Sequence, residues 1–188
     1  MKTFELSGEL RSEFGKKAAK ELRKQELVPC NLYGSGENIT FTVKVADVRK
    51  LIYTPDTMVV ILTIAGKKHN AVIKELQFHP VKEQLLHIDF LEVTDKKPVT
   101  VDIPVQVVGH AEGVKAGGKL SLEVRKLKVC GLYTNLPDRV VVDVTSLGLG
   151  KRIQVSDLHF DNYSIANVKD MMVVQVKATR ASKQAEEA

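Results

Sequence analysis

Six basic side chains, Arg11, Lys16, Lys17, Lys20, Arg23 and Lys24, crowd one short stretch, which runs on to Pro29 and the pair Tyr33-Gly34. This chemistry suits an anionic partner: Arg offers a planar five-donor fork, Lys a point charge, and Tyr a ring carrying a hydroxyl. Far downstream, Leu86-His87-Ile88-Asp89-Phe90 alternates polar and apolar residues, so a strand there aims His87 and Asp89 out of one face. Two remote segments with polar groups on one surface imply a binding site assembled by folding.

Other chemistries fare worse. Gly113-Val114-Lys115-Ala116-Gly117-Gly118-Lys119 has the spacing of a phosphate-binding P-loop, but the next residue is Leu120. Such a loop needs Ser or Thr there for magnesium and must open a helix, whereas Leu120-Ser121-Leu122-Glu123-Val124 reads as strand. A glycine-rich connection between strands is the expectation. His87 with Asp89 makes a conceivable metal pair, yet His69, His79, His110 and His159 supply no second spacing typical of a metal site. No Gly-x-Ser-x-Gly elbow occurs, and neither Cys stands near a plausible catalytic His. The chain is therefore expected to be no enzyme, with no catalytic residue, metal, cofactor or small-molecule substrate.

Length, 188 residues, is enough for two domains of about 90 residues each. The composition, 44% hydrophobic and 27% charged, is that of an ordinary soluble protein, and no apolar run approaches the ~20 residues that span a bilayer. Met1 to Leu6 runs straight into an alternating pattern without an apolar signal core, so export is not expected. Cys30 and Cys130 are too far apart in sequence to suggest a disulfide framework or zinc knuckle and read as reduced, partly buried thiols. The Asn38-Ile39-Thr40 and Asn162-Tyr163-Ser164 patterns carry no meaning without secretion. Net charge is +5, a mild bias that permits an anionic partner without demanding one. Residues 1–93 hold 14 Lys+Arg against 12 Asp+Glu and the remainder 14 against 11, so the case for nucleic acid rests on clustering.

The elements that must position the cluster follow from periodicity. Lys16 to Leu27 contains no Gly or Pro, and Gly15 stands before it, which predicts a helix of about three turns. Ala19 with Leu22, joined by Ala18, forms a thin apolar stripe, while Lys16, Lys20, Arg23 and Lys24 share the opposite side with Leu27. Taken alone, such a strip is ordinarily a solvated face. Around it, strands are predicted for Phe4 to Leu10, Cys30 to Tyr33, Ile39 to Val43, Met58 to Ile64, Asn70 to Phe78 and Leu85 to Leu91, with a short helix at Val45, Val48, Leu51 and Ile52. Six short strands with two small helices argue for a closed antiparallel barrel, which removes sheet edges.

Near Thr94-Asp95-Lys96-Lys97-Pro98 the pattern breaks, and Val99, Val101, Ile103, Val105 and Val107 begin a second, predominantly β domain. Pro104 inside that run predicts an edge strand or a bulge. The expected organisation is 1–93 as a barrel domain, 94–178 as a second β domain, and 179–188 as a polar disordered tail.

In order, Arg11, Gly15-Lys16, Leu22-Arg23, Pro29, Tyr33-Gly34, His79-Pro80 and Leu86-His87-Ile88-Asp89-Phe90 resemble the bacterial large-subunit ribosomal proteins that bind 5S ribosomal RNA. The second half, through Gly113-Val114-Lys115-Ala116-Gly117-Gly118, Leu136-Pro137, Val142-Asp143-Val144 and Ser156-Asp157-Leu158, resembles the long two-domain members, the general stress protein CTC type. The resemblance implies that 1–93 is an RNA-binding six-stranded barrel docked on an internal loop of 5S ribosomal RNA, that 94–178 is an elongated β domain packed against neighbouring large-subunit proteins, and that the location is cytoplasmic and ribosomal. It transfers RNA contact to Arg11, Lys16, Lys20, Arg23, Tyr33, His87 and Asp89. Two places depart from the pattern: Lys20-Glu21 stands where many relatives carry two basic residues, and Cys30-Asn31-Leu32 replaces a wholly apolar stretch. Glu21 is therefore expected on the helix flank. The competing function is a stress-associated interaction protein whose second domain binds protein partners.

Overall fold

A computed structural model describes residues 1–34 and 36–179. The tail expected over 179–188 lies outside the described residues apart from Thr179. The first 92 residues fold as β1 (Lys2–Leu10), α1 (Lys16–Lys24), β2 (Leu27–Tyr33), β3 (Ile39–Lys44), α2 (Val45–Ile52), β4 (Met58–Ile64), β5 (Lys67–Phe78) and β6 (Leu85–Glu92). The six strands close a barrel in the order β1-β3-β2-β6-β5-β4, so the mainly β, barrel-plus-β-domain architecture expected from the sequence is what forms.

One part of that expectation is corrected. The barrel is not wholly antiparallel: β1 runs parallel to β4, Lys2 opposite Met58 through Gly8 opposite Ile64, and β2 runs parallel to β6, Cys30 opposite Ile88 through Tyr33 opposite Leu91. Parallel neighbours need long crossovers, and the intervening strands and helices provide them. Periodicity reports which face a residue takes and is silent on strand direction.

Inward residues alternate as a half-buried strand requires. Leu6, Cys30, Leu32, Phe41, Val43, Val60, Leu62, Ile88 and Phe90 share one core, to which α2 adds Val48 and Leu51. Fully burying a side chain such as Phe41 or Phe90 contributes about 1.5–3 kcal/mol relative to exposure, and these two rings tilt together at a centroid distance of 5.7 Å. Leu10, at the end of β1, is exposed. Gly8 is needed where it is, because a Cβ there would run into the Phe41 ring.

The first helix is shorter than its propensity suggests. It stops at Lys24, Glu26 turns through the left-handed region at φ 60, and Leu27 becomes the first residue of β2, opposite Lys44. Burying β2 wins over extending an exposed helix by three residues, since packing outweighs propensity.

The chain divides into two compact units, Met1–Val101 with Leu132–Thr134, and Asp102–Gly131 with the residues from Asn135 on. The second half carries β7 (Val99–Val108), α3 (Glu112–Lys115), β8 (Lys119–Leu122), β9 (Lys126–Gly131), β10 (Val140–Asp143), β11 (Arg152–Gln154), a 3-10 turn (Val155–Asp157), β12 (Ser164–Ile165) and β13 (Met172–Lys177). These make a four-stranded sheet, β10-β7-β9-β12, and a three-stranded one, β11-β13-β8.

Pro104 corrects the edge expectation, because β7 lies inside its sheet. The ladder with β10 begins only at Val105, opposite Val140, so the residue lacking an N–H falls just before the bonds start. The glycine-rich run at 113–119 is likewise structural. Gly113 is buried, and a Cβ on it would meet the Gly148 and Leu149 backbone at 2.6 Å. Gly117 turns at φ 86, and Lys119 enters β8 opposite Lys177, leaving no helix to receive a phosphate.

Glu123 ties β8 to β13. Its Oε1 accepts from Lys177 Nζ at 2.8 Å, from Gln175 Nε2 at 2.6 Å and from Ser121 Oγ at 2.8 Å. The Lys177, Gln175 and Ser121 donors together hold its carboxyl at about 2.

Two outcomes follow from this packing. Gly8→Ala forces the Phe41 ring to shift and is expected to cost about 1–3 kcal/mol in urea unfolding. A depressed carboxyl stabilises the fold above its unfolded value and loses that contribution as pH falls toward its folded value. Thermal unfolding of the parent should therefore drop from about pH 4.5 toward pH 2 more steeply than that of Glu123→Gln.

Candidate nucleic-acid interface

The β6 run sits in the barrel wall with the polarity its alternation requires. Ile88 and Phe90 are buried, while His87 and Asp89 lie half-buried on the outer face. Parallel β2 sets Asn31 opposite Asp89 and Tyr33 opposite Leu91, and antiparallel β5 sets Gln77 opposite His87 and Glu75 opposite Asp89. The outer strip thus carries Tyr33, Asn31, Asp89, His87, Gln77 and Glu75.

His87 and Asp89 pair with each other, Nδ1 to Oδ1 at 3.2 Å. A carboxylate only accepts, so the contact favours an imidazole that bears a proton on Nδ1. Burial, then the Asp89 and Glu75 carboxylates, push the Tyr33 phenol up from its ordinary value. Tyr33 therefore stays a neutral hydroxyl able to donate and to accept.

The helix is fastened to this strip by Arg23. Its Nε and Nη2 both donate to the Leu86 carbonyl, at 3.1 and 3.0 Å, and Gln84 Nε2 donates back to the Arg23 carbonyl at 3.3 Å. That fork places the end of α1 one residue from His87. Two of the five guanidinium donors are thereby occupied, so Arg23 positions the helix as well as carrying charge.

Lys16 and Lys20 are exposed on α1 and make no ion pair among the described residues. Lys24 reaches Glu21 at 3.2 Å. Glu21 lines a cleft with Glu9, Arg11, Ala18 and Leu22, which is the flank expected for it. The N-terminus of α1 is unusual: Gly15 caps it at φ 98 without a side-chain bond, and no acidic residue stands in its first turn. Lys16 and Lys17 occupy the positive end of the helix dipole instead, an arrangement that an anion relieves.

Arg11 leaves β1 near the same helix. Its guanidinium lies 5.5 Å from the centroid of the exposed Phe14 ring, Nη2 donates to the Glu13 carbonyl at 3.2 Å, and Nε is buried without a partner among the described residues. Behind the strip, Cys30 is a buried free thiol, and Cys130 is half-buried and also free. Burial raises the Cys30 value strongly, Asp89 raises it further, and the Ile88 backbone and Arg11 oppose them.

Arg23, Tyr33, His87 and Asp89, from three separate elements, are thus joined by bonds, ladder register and mutual fields. Lys16 and Lys20 ride on the same helix as Arg23, and Arg11 acts on the thiol beneath the strip. Sequence reasoning missed Asn31, Glu75, Gln77 and the locking residue Gln84. Alternation within β5 was the available signal, but its register shifts between Ile73 and Glu75 and again between Gln77 and Phe78, which scrambles the period that would have exposed them.

Among the described residues no group of three or more His, Cys, Asp or Glu is arranged to hold a metal, and no described helix is long and apolar enough to cross a membrane.

Comparison with known proteins identifies the family of both halves of the chain. Residues 6–90 match the ribosomal L25p family, and residues 98–180 match the C-terminal domain of ribosomal protein TL5. A large ribosomal subunit protein bL25 of Porphyromonas gingivalis is 54% identical over 97% of this chain and 96% of its own length. Proteins of the same name from Azobacteroides pseudotrichonymphae and Parabacteroides distasonis are 51% identical over 97% of each chain, and 49% identical over 99% of this chain and 98% of the relative. These names describe ribosomal proteins and not enzymes. With a barrel and a second β-rich unit each matching in place, and relatives of this identity running nearly end to end, the chain belongs to the ribosomal L25p family.

Proposed function

We propose that this protein is a structural component of the large ribosomal subunit, cytoplasmic with the ribosome, and that its first unit binds 5S ribosomal RNA through α1 and the β2–β6 strip. The observation that carries the reading is the fork from Arg23 to the Leu86 carbonyl, which unites a helix bearing unpaired cations with a strip of hydroxyl, imidazole and carboxylate groups. Its relatives' names supply the ribosomal context.

Each residue has a role suited to an RNA minor groove, which exposes 2′-hydroxyls and is recognised by shape more than by base code. Lys16 and Lys20 neutralise phosphates, with the uncapped helix end adding its N–H groups. Arg11 supplies a further cation, its planar face supported by Phe14. Tyr33 lays its ring on sugar or base and uses its hydroxyl. Asp89 orients His87 so that Nε2 accepts from a 2′-hydroxyl, and its other oxygen accepts from a hydroxyl or base amine. The carboxylate makes the strip selective, because a bare phosphate there is repelled. The second unit would pack against neighbouring large-subunit proteins. No observation favours the stress-associated interaction role over this one.

The decisive experiment is a salt titration of the full chain with 5S ribosomal RNA against an unrelated duplex of equal length. Binding should weaken with salt and favour 5S RNA, and equal affinity for both would reduce the reading to generic anion binding. Lys16→Gln should weaken binding to both RNAs and lower the salt slope by about one unit. Arg23→Lys keeps the charge but loses the fork, so it should cost ~1–3 kcal/mol of 5S affinity with the slope nearly unchanged. A parent-like Arg23→Lys would mean that the helix needs no fastening.

A further inference from the structure

A second notch lies where α2 ends and β5 turns into β6. Tyr53, Phe78, His79, Pro80 and Glu83 line a space of about 370 Å³, open to solvent, with Tyr53 71% and Phe78 41% exposed. Two exposed aromatic rings meeting in one concavity are a feature that neither the barrel core nor the α1 strip uses.

The rim is polar and firmly built. His79 N–H donates to the Gln84 carbonyl at 2.8 Å, and Glu83 N–H donates to the His79 carbonyl at 3.0 Å. The His79 Nδ1 accepts from the Val81 and Lys82 N–H groups, each at 3.2 Å. A ring nitrogen that accepts carries no proton, so the proton resides on Nε2, which becomes a donor. Glu83, held in the left-handed region at φ 52, adds a carboxylate acceptor. Arg49 and Lys50, in the last turn of α2 four and three residues before Tyr53, and Lys82, next in sequence to Glu83, are all exposed and without ion pairs among the described residues. The same loop continues into Gln84, which holds the Arg23 carbonyl, so the notch adjoins α1.

Rings to stack on, one donor and one acceptor among the lining residues, and three neighbouring cations against one carboxylate match a nucleotide better than an apolar side chain, which would leave the cations unmatched. We infer that this notch receives one unpaired base of the bound RNA. The base stacks on Tyr53 and Phe78, His79 and Glu83 read its edge, and Arg49, Lys50 and Lys82 draw the flanking phosphates. The inference rests on the RNA-binding reading and adds a site to it.

The test uses the full chain and two RNA duplexes of equal length, one fully paired and one bearing a single bulged 2-aminopurine. The parent should prefer the bulged duplex and change the fluorescence of its probe base on binding. Tyr53→Ala with Phe78→Ala should weaken bulged-duplex binding about 5- to 100-fold, the range for loss of base stacking, with paired-duplex affinity and salt slope unchanged. Tyr53→Phe should retain the preference, while Tyr53→Leu with Phe78→Leu, which keeps apolar bulk without rings, should lose it. Lys16→Gln with Lys20→Gln should weaken both duplexes alike and keep the preference, which separates the notch from α1. A ring-free variant that still prefers the bulged duplex, or a parent without that preference, overturns the inference; the surface would then be left for a protein partner.

Discussion

Parallel pairing of β2 with β6 is the constraint on which the remaining arrangement depends. It brings Asn31 beside Asp89 and Tyr33 beside Leu91 while burying Cys30, Leu32, Ile88 and Phe90 on the opposite face. Because side chains alternate with period two, a slip of one residue would turn Asp89 and Tyr33 into the core and Ile88 and Cys30 out to water. The cost of burying a carboxylate makes that slip prohibitive. Core and binding strip are therefore two faces of a single choice of register. The Arg23 fork then adds the helix to a surface already fixed.

On the proposed reading, the lysines of α1 beside the carboxylates of the strip give a surface of mixed charge, which suits recognition of RNA. A purely cationic surface attracts any polyanion, and its affinity is governed by salt. Asp89, the Asp89-facing imidazole of His87 and the Tyr33 hydroxyl would, on that reading, form hydrogen bonds whose strength depends on where a partner's hydroxyls lie. In the proposed mode the lysines of α1 would provide attraction and the strand residues discrimination. Cys30 lies below with its proton retained by burial, so no additional thiolate charge disturbs the balance.

Much of this was legible in the sequence. Alternation located all six barrel strands, helical spacing located α2 to the residue, and His87 and Asp89 share the outer face that their spacing demands. What escaped depends on partners. Leu27 reads as helix until β3 offers Lys44 as a neighbour; strand direction is invisible to periodicity; and Pro104 tolerates an interior strand because the adjoining ladder starts one residue later. The resemblance named Arg23 as an RNA contact, yet its first engagement is with a backbone carbonyl, an acceptor present at every residue and so without a sequence signature. Gln77 and Glu75 were hidden by bulges, and Gln84 by lying in a turn whose tertiary neighbour is a helix end.

The closure of the barrel also orders events during synthesis. β1 and β2 are made first, but each awaits a parallel neighbour encoded later, β4 and β6 respectively. A nascent chain lacking Leu85–Glu92 leaves β2 and β5 with unsatisfied edges, and Arg23 has no carbonyl to grip. Domains fold as units while translation adds residues at about 5–20 per second, so the barrel can close only once its sixth strand has emerged. Truncated or stalled chains accordingly carry the cationic α1 segment without the β2–β6 pairing that orders the strip beside it.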